Sequence, residues 1–297
     1  MLVLGPEVII NENIKATAGV HMCTMLFGLS AVLAKELLVS ASSIVAGRAL
    51  FAAMTLFLVL AWTRSNIISS LTRQDLFHYM MNGVLLALHW VCFFTGVEKG
   101  GVAVGTLGFA CFPVFVSLFG WCIFRSHVGI RDILAMLLVF VGLIIISPDV
   151  MYGGSDRNAL LWALAAGASY AVIVLYNNYA RTNGTPLQSS LIQCAFCSLV
   201  TIPAGIGELI HADSSTLIHI LLIGVICTGV AYSMLTYALR YVAAGKAAII
   251  ISLEPVWAIA LSILWFSTVP DINTLFGGGV IILAVIVSAL PRRAASI

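Results

Sequence analysis

Ten stretches of about twenty mostly apolar residues succeed one another along this chain, at roughly 16–34, 42–62, 78–98, 102–124, 131–148, 158–179, 187–208, 217–239, 245–266 and 273–291. A helix needs about 20 such residues to cross the hydrocarbon core of a bilayer. The intervening breaks are short and polar: Arg64 to Asp75, Glu98-Lys99-Gly100-Gly101, Arg125 to Asp132, Asp149 to Arg157, Arg181 to Pro186, His211 to Ser215, and Pro270-Asp271. None leaves room for a soluble domain. Only 9% of the 297 residues are charged, against about 25% in a soluble domain, so a water-facing surface could not be covered. The chain is therefore predicted to be an all-α integral membrane protein with ten transmembrane helices. Its net charge of +2 is too small to argue for nucleic acid. Glu7 and Glu12 precede Lys15, unlike the basic start of a cleaved signal peptide, so the first span is read as retained. All seven cysteines fall inside apolar stretches, where they fill space between helices rather than form an extracellular disulfide framework.

Cytoplasmic loops collect Lys and Arg. With ten spans, ten basic residues fall on the side of the termini and four (Lys35, Arg48, Lys99 and Arg157) on the other, where Asp149, Asp156, Glu208, Asp213 and Asp271 also lie. Both termini are thus expected in the cytoplasm. The chain also repeats itself. Gly83-Val84 aligns with Gly224-Val225, Thr95 with Thr236, Ala103 with Ala244, and, after one residue of slip, Pro113-Val114 with Pro255-Val256 and Phe124 with Phe266. Two halves follow, 15–148 and 158–291, each of five spans. An odd number of spans sets the halves in opposite orientations, as inverted repeats that place a substrate near the midplane between them.

Polar residues deep in a span are expensive and need a reason. Glu254 is the one acid at the middle of a span, either a protonatable or cation-binding carboxylate in a water-filled cavity or a structural carboxyl bonded to a neighbouring helix. Pro255 and its repeat mate Pro113 each remove a backbone bond at mid-span, so paired kinks are expected beside a central cavity. His89 and Trp90 sit mid-span, one able to relay protons and the other to stack on a cationic or organic substrate, although adjacent residues need not face one cavity. Tyr170, Tyr232, Tyr237 and Trp257 are further candidates for an aromatic lining. Each of these aromatic residues and His89 has the alternative role of plain helix packing. Arg48 is too deep to reach water easily. It either takes an anionic group such as a carboxylate or pairs with Glu36 or Glu98 as a structural lock, and the lock is expected because unpaired buried charges are rare. Cys194 and Cys197 have redox-motif spacing but no thioredoxin-like context. Gly277-Gly278-Gly279 lies inside a span, where it permits close helix approach. The six histidines show no ligand spacing, so no metal, cofactor or catalytic site is expected.

Leu88-His89-Trp90, Phe112-Pro113-Val114-Phe115 and Leu253-Glu254-Pro255-Val256-Trp257-Ala258, in this order within ten spans, resemble the drug/metabolite transporter superfamily, EamA type. Phe27-Gly28 followed by Lys35 is similar to the family's first-span Trp-Gly and later lysine, and Arg48 falls where the second span commonly has an arginine. Members often carry a glutamate just after spans four and nine, where this chain has Arg125-Ser126 and Ser267-Thr268. The resemblance implies a plasma-membrane permease, in bacteria of the inner membrane, working by alternating access and commonly exporting amino acids, other metabolites or drug-like compounds. His89, Trp90, Tyr170, Tyr232, Glu254 and Trp257 are then expected to contact substrate, and Glu254 and Arg48 to serve coupling or ion pairing. The expected partners are a small-molecule substrate, the bilayer and a coupling proton, with no nucleic acid and no obligate protein partner. The alternatives are a channel or uncoupled facilitator, or an intramembrane enzyme.

Overall fold

The computed structural model describes residues 6–64, 71–125, 129–146, 155–180, 182–242, 247 and 250–289. Arg181, Ala244, Lys246, Arg292 and Arg293, used above for sidedness or repeat alignment, lie outside the described residues, as does Asp149. The helices are α1 (Pro6–Lys35), α2 (Ala41–Trp62), α3 (Arg73–Phe109), α4 (Phe112–Phe124), α5 (Ile130–Ile146), α6 (Ser155–Tyr179), α7 (Pro186–Leu209), α8 (Ser214–Gly224), a π-helical segment (Val225–Val230), α9 (Ala231–Ala238), α10 (Glu254–Phe266) and α11 (Ile272–Ala289). Among the described residues they trace ten crossings.

Helix α3 carries parts of two of these crossings. Its turn is Gly101, at φ 78° and ψ 174°, a region that only glycine enters readily. Beyond it the chain folds back, since a Cβ on Gly105 would lie 3.0 Å from the Val97 Cα. Residues eight apart on a straight helix are about 12 Å apart. Crossing eight is continuous except for the π-helical segment Val225–Val230, which joins α8 to α9.

The fourth and ninth crossings are broken rather than kinked. Pro113 and Pro255 each lie in the first two positions of a new 13-residue helix, α4 and α10, where proline's missing N–H has no partner to lose. The carbonyls of the preceding turn are taken up tightly and identically in both places. Cys111 N–H reaches the Gly108 carbonyl (3.3 Å) and Val114 N–H that of Cys111 (3.0 Å). In the second half Leu253 N–H reaches Ile250 (3.0 Å) and Val256 N–H reaches Leu253 (3.0 Å). Each pair stands 142 residues from its counterpart. Helices α4 and α10 also end alike, on Arg125 (φ 52°) and Ser267 (φ 54°) in the left-handed region. Those are the positions where the resembling family often has glutamate nearby.

Repeat mates pack on each other across the two halves: α2 on α7 and α5 on α11. Meanwhile α1 packs on α9 and α10, and its mate α6 on α3 and α4, so each half's first helix belongs spatially to the other half. Large apolar side chains such as Leu58, Phe140 and Leu264 remain exposed, an arrangement that lipid rather than water solvates. Six cysteines are buried and Cys122 is exposed, all as free thiols.

The seam between α5 and α11 depends on two glycines. A Cβ on Gly277 would lie 2.6 Å from the Gly142 carbonyl oxygen, and one on Gly142 would lie 2.8 Å from that of Gly277. Backbone approach of this kind holds helices together where lipid supplies no hydrophobic drive. Gly277→Val is therefore expected to destabilise the protein by about 1–3 kcal/mol, read as a lower unfolding temperature in detergent micelles. Gly279→Ala, at a position with nothing within 4 Å of its Cβ, is expected to leave that temperature unchanged.

Candidate functional site

The two broken helices flank a central cavity of about 70 Å³. Helix α2 brings Arg48 to it, α3 brings His89, Trp90 and Phe109, α6 brings Tyr170, α9 brings Tyr232, and α10 brings Glu254. Phe27, Ser30, Phe93, Leu235 and Ile251 complete the lining. His89 and Trp90, although adjacent in sequence, both face this cavity. Trp257, almost one turn along α10 from Glu254, does not line it. Tyr237 is exposed and packs on Tyr241 with ring centroids 5.4 Å apart.

Arg48 is 4% exposed. The expected lock to Glu36 or Glu98 is not formed. Glu36 instead accepts a hydrogen bond from the Trp265 indole N–H (2.6 Å) and meets His219 (3.1 Å), while Lys35 donates to the Glu98 backbone carbonyl (2.7 Å). Those groups sit at the ends of their spans, whereas Arg48 lies well inside its own. Its Nε and Nη2 donate to the Thr228 hydroxyl (3.2 and 2.8 Å), and its guanidinium lies 4.0 Å from the Trp90 ring centroid and 5.0 Å from that of Phe94. Aromatic faces are attractive to a desolvated cation but do not neutralise it. Among the described residues no carboxylate lies within salt-bridge distance of Arg48.

The Thr228 hydroxyl in turn donates to the Ile223 carbonyl five residues back (2.9 Å). Thr228 sits in the π-helical segment, a device that often re-aims a side chain at a functional site.

Glu254 opens α10 and is 6% exposed. A carboxylate there faces the free N–H groups and positive end of a helix, which offsets part of its burial cost. The repeat mate of Glu254 is Phe112, whose ring stacks on Phe109 (5.5 Å). Only one of the two breaks thus carries an acid. His89 donates through Nδ1 to the Ala166 carbonyl (2.9 Å), so a neutral ring keeps Nε2 as an acceptor. Its ring also contacts Tyr170 (5.0 Å) and Phe109 (5.2 Å), and Tyr232 meets Phe27 edge-on (5.8 Å).

Sequence reasoning missed Thr228. A mid-span threonine is too ordinary in membrane helices to signal a site, because its hydroxyl usually bonds its own helix. A larger groove of about 270 Å³ lies between α10 and α11, lined by residues such as Val256, Ile259, Ile263 and Ile282. Its only polar side chain, Thr274, is already bonded to Asp271, so it offers little to recognise a polar solute.

The profile of the EamA-like transporter family matches residues 18–147 and again 157–290. The chain is 25% identical over 232 residues to the uncharacterized transporter YxxF of Bacillus subtilis, covering 75% of this chain and 73% of that one. It is likewise 25% identical over 218 residues to the uncharacterized transporter YwfM of the same organism, covering 71% and 72%. A solved crystal structure, 12% identical, aligns over 92% of this chain and 96% of its own with a TM-score of 0.61, a likeness of fold alone.

The Arg48–Thr228 contact makes a direct prediction. Thr228→Val keeps the shape and removes the acceptor of two charge-assisted bonds, and is expected to cost about 1–3 kcal/mol. Thr228→Ser should restore most of that stability, measured by thermal unfolding of the two variants side by side.

Proposed function

This chain belongs to the EamA-like transporter family, and from that membership we propose that it is a secondary transporter that binds small organic molecules in the cavity between Arg48 and Glu254. One observation carries the reading: a buried guanidinium and a buried carboxyl group, Arg48 and Glu254, line the same cavity without forming a salt bridge. Intramembrane charges are retained for substrate, ion or proton pathways. Arg48 takes an anionic group of the cargo, and Glu254 takes a cationic group or a coupling proton. Trp90, Tyr170 and Tyr232 contact its apolar part, with His89 beside them. Amino acids and drug-like organic compounds both fit this chemistry.

The cavity of about 70 Å³ is small beside ligand sites of roughly 300–1,000 Å³, so cargo enters through a wider conformation. Alternating access between the inverted halves supplies it, with the two helix breaks as points of bending. The predominance of basic residues on the side of the termini supports cytoplasmic termini in a plasma membrane, and export is the direction we propose. Ten crossings complete the cavity within one chain, so a monomer suffices.

A thermal-shift screen of metabolites on the purified protein identifies cargo, because ligand bound to the folded state raises its stability with occupancy. Ligands that stabilise the wild type are expected to lose their effect in Arg48→Gln and Glu254→Gln. In proteoliposomes loaded with such a ligand, Glu254→Gln should abolish transport or its pH dependence while the protein still folds. Unchanged transport across pH would remove Glu254 from the mechanism.

A further inference from the structure

Two half-buried histidines stand outside the cavity, one near each membrane face, 141 residues apart: His78 and His219. They hold equivalent places. The N-caps of their helices, Thr72 and Asp213, are also 141 residues apart, and each accepts from the backbone N–H three residues on, at Asp75 (3.1 Å) and Thr216 (2.9 Å). His78 lies where α3 begins beside the end of α6. His219 lies where α8 begins beside the end of α1, at the opposite face.

Each histidine bonds across a seam between the two repeats. His78 Nδ1 is 2.6 Å from the Tyr176 hydroxyl of α6, and His219 Nε2 is 3.1 Å from the Glu36 carboxylate just after α1. Helices α1 and α6 are themselves repeat mates, so the same contact is built twice with opposite orientation. The chemistry differs. His219 already donates through Nδ1 to the Ser215 carbonyl (2.8 Å), so both its nitrogens face acceptors, whereas His78 faces a hydroxyl that can also donate. The Trp265 indole bonds the other oxygen of the same carboxylate and draws α10 into that seam. Both joints are side-chain hydrogen bonds at part-exposed helix ends, and each has a second bond beside it: Asn82 Nδ2 donates to Asn177 Oδ1 (2.6 Å) in the His78 seam, and the Trp265 indole donates to Glu36 in the other.

We infer that His78 and His219 are the paired gating residues of the transport cycle, each latching one face of the central cavity shut and releasing in turn. Both contacts are made at once in this structure. The assignment rests on the alternating-access reading above.

Hydrogen–deuterium exchange of the full chain in lipid nanodiscs tests it, without need of a known cargo. His78→Phe and Tyr176→Phe should each raise exchange around residues 73–82 and 174–180 and lower it around 32–40 and 214–222. His219→Phe and Glu36→Ala should do the reverse. The expected size is roughly fivefold, what one net hydrogen bond contributes to a two-state population. Faster exchange at the altered face with no change at the other would make the contact a local structural bond and overturn the assignment. Faster exchange at both faces would overturn it too, since it reports loosening rather than reciprocal gating. A steady ionic conductance of the wild type in planar bilayers would overturn the alternating-access reading itself, whatever the exchange of the variants.

Discussion

In a bilayer core no water is present to bond a free N–H or carbonyl, so a chain can leave the helix at membrane depth only where protein or a water-lined cavity receives it. That constraint shapes this molecule. Its fourth and ninth crossings are interrupted at matching places, and the tight turns at Cys111 and Leu253 recover backbone bonds that a straight helix would have made. Helix α6 closes over the first interruption so tightly that a Cβ on Gly167 would lie 3.1 Å from the Phe109 carbonyl oxygen. The second exposes the start of α10, and with it Glu254, to the cavity.

The same economy governs the buried guanidinium. Arg48 is held by one hydroxyl and two aromatic faces, enough to orient it but not to neutralise it. Its partner Thr228 is presented by a π-helical segment, which shifts the register of crossing eight just where the cavity passes. A full ion pair there would have been a structural lock. What exists instead is a guanidinium held in place at the cavity that Glu254 also lines.

The repeated backbone of the two halves places these features without making them interchangeable. Caps, breaks and left-handed helix ends recur at offsets of 141 or 142 residues, yet Glu254 faces a repeat mate that is Phe112. Likewise the His78 seam ends on a phenol and the His219 seam on a carboxylate. Inverted symmetry supplies two similar faces, and the departures from it give each face its own chemistry.

Hydrophobic runs and the placement of charge were enough to read ten crossings and two halves, because burial in lipid acts on each segment separately and leaves its mark in local composition. Mid-span position likewise singled out Glu254, Arg48, His89 and Trp90, since polar atoms in hydrocarbon are costly wherever they stand. What those residues touch was not legible. The partner of Arg48 lies 180 residues away at Thr228, and the depth difference that separates Arg48 from Glu36 and Glu98 appears only once the helices are set side by side. Pro113 and Pro255 announced a disturbance, but whether a proline kinks a helix or begins a new one depends on whether neighbours receive the freed backbone. Packing decided that, because hydrogen bonds and aromatic contacts act over a few ångströms between segments that the sequence keeps far apart.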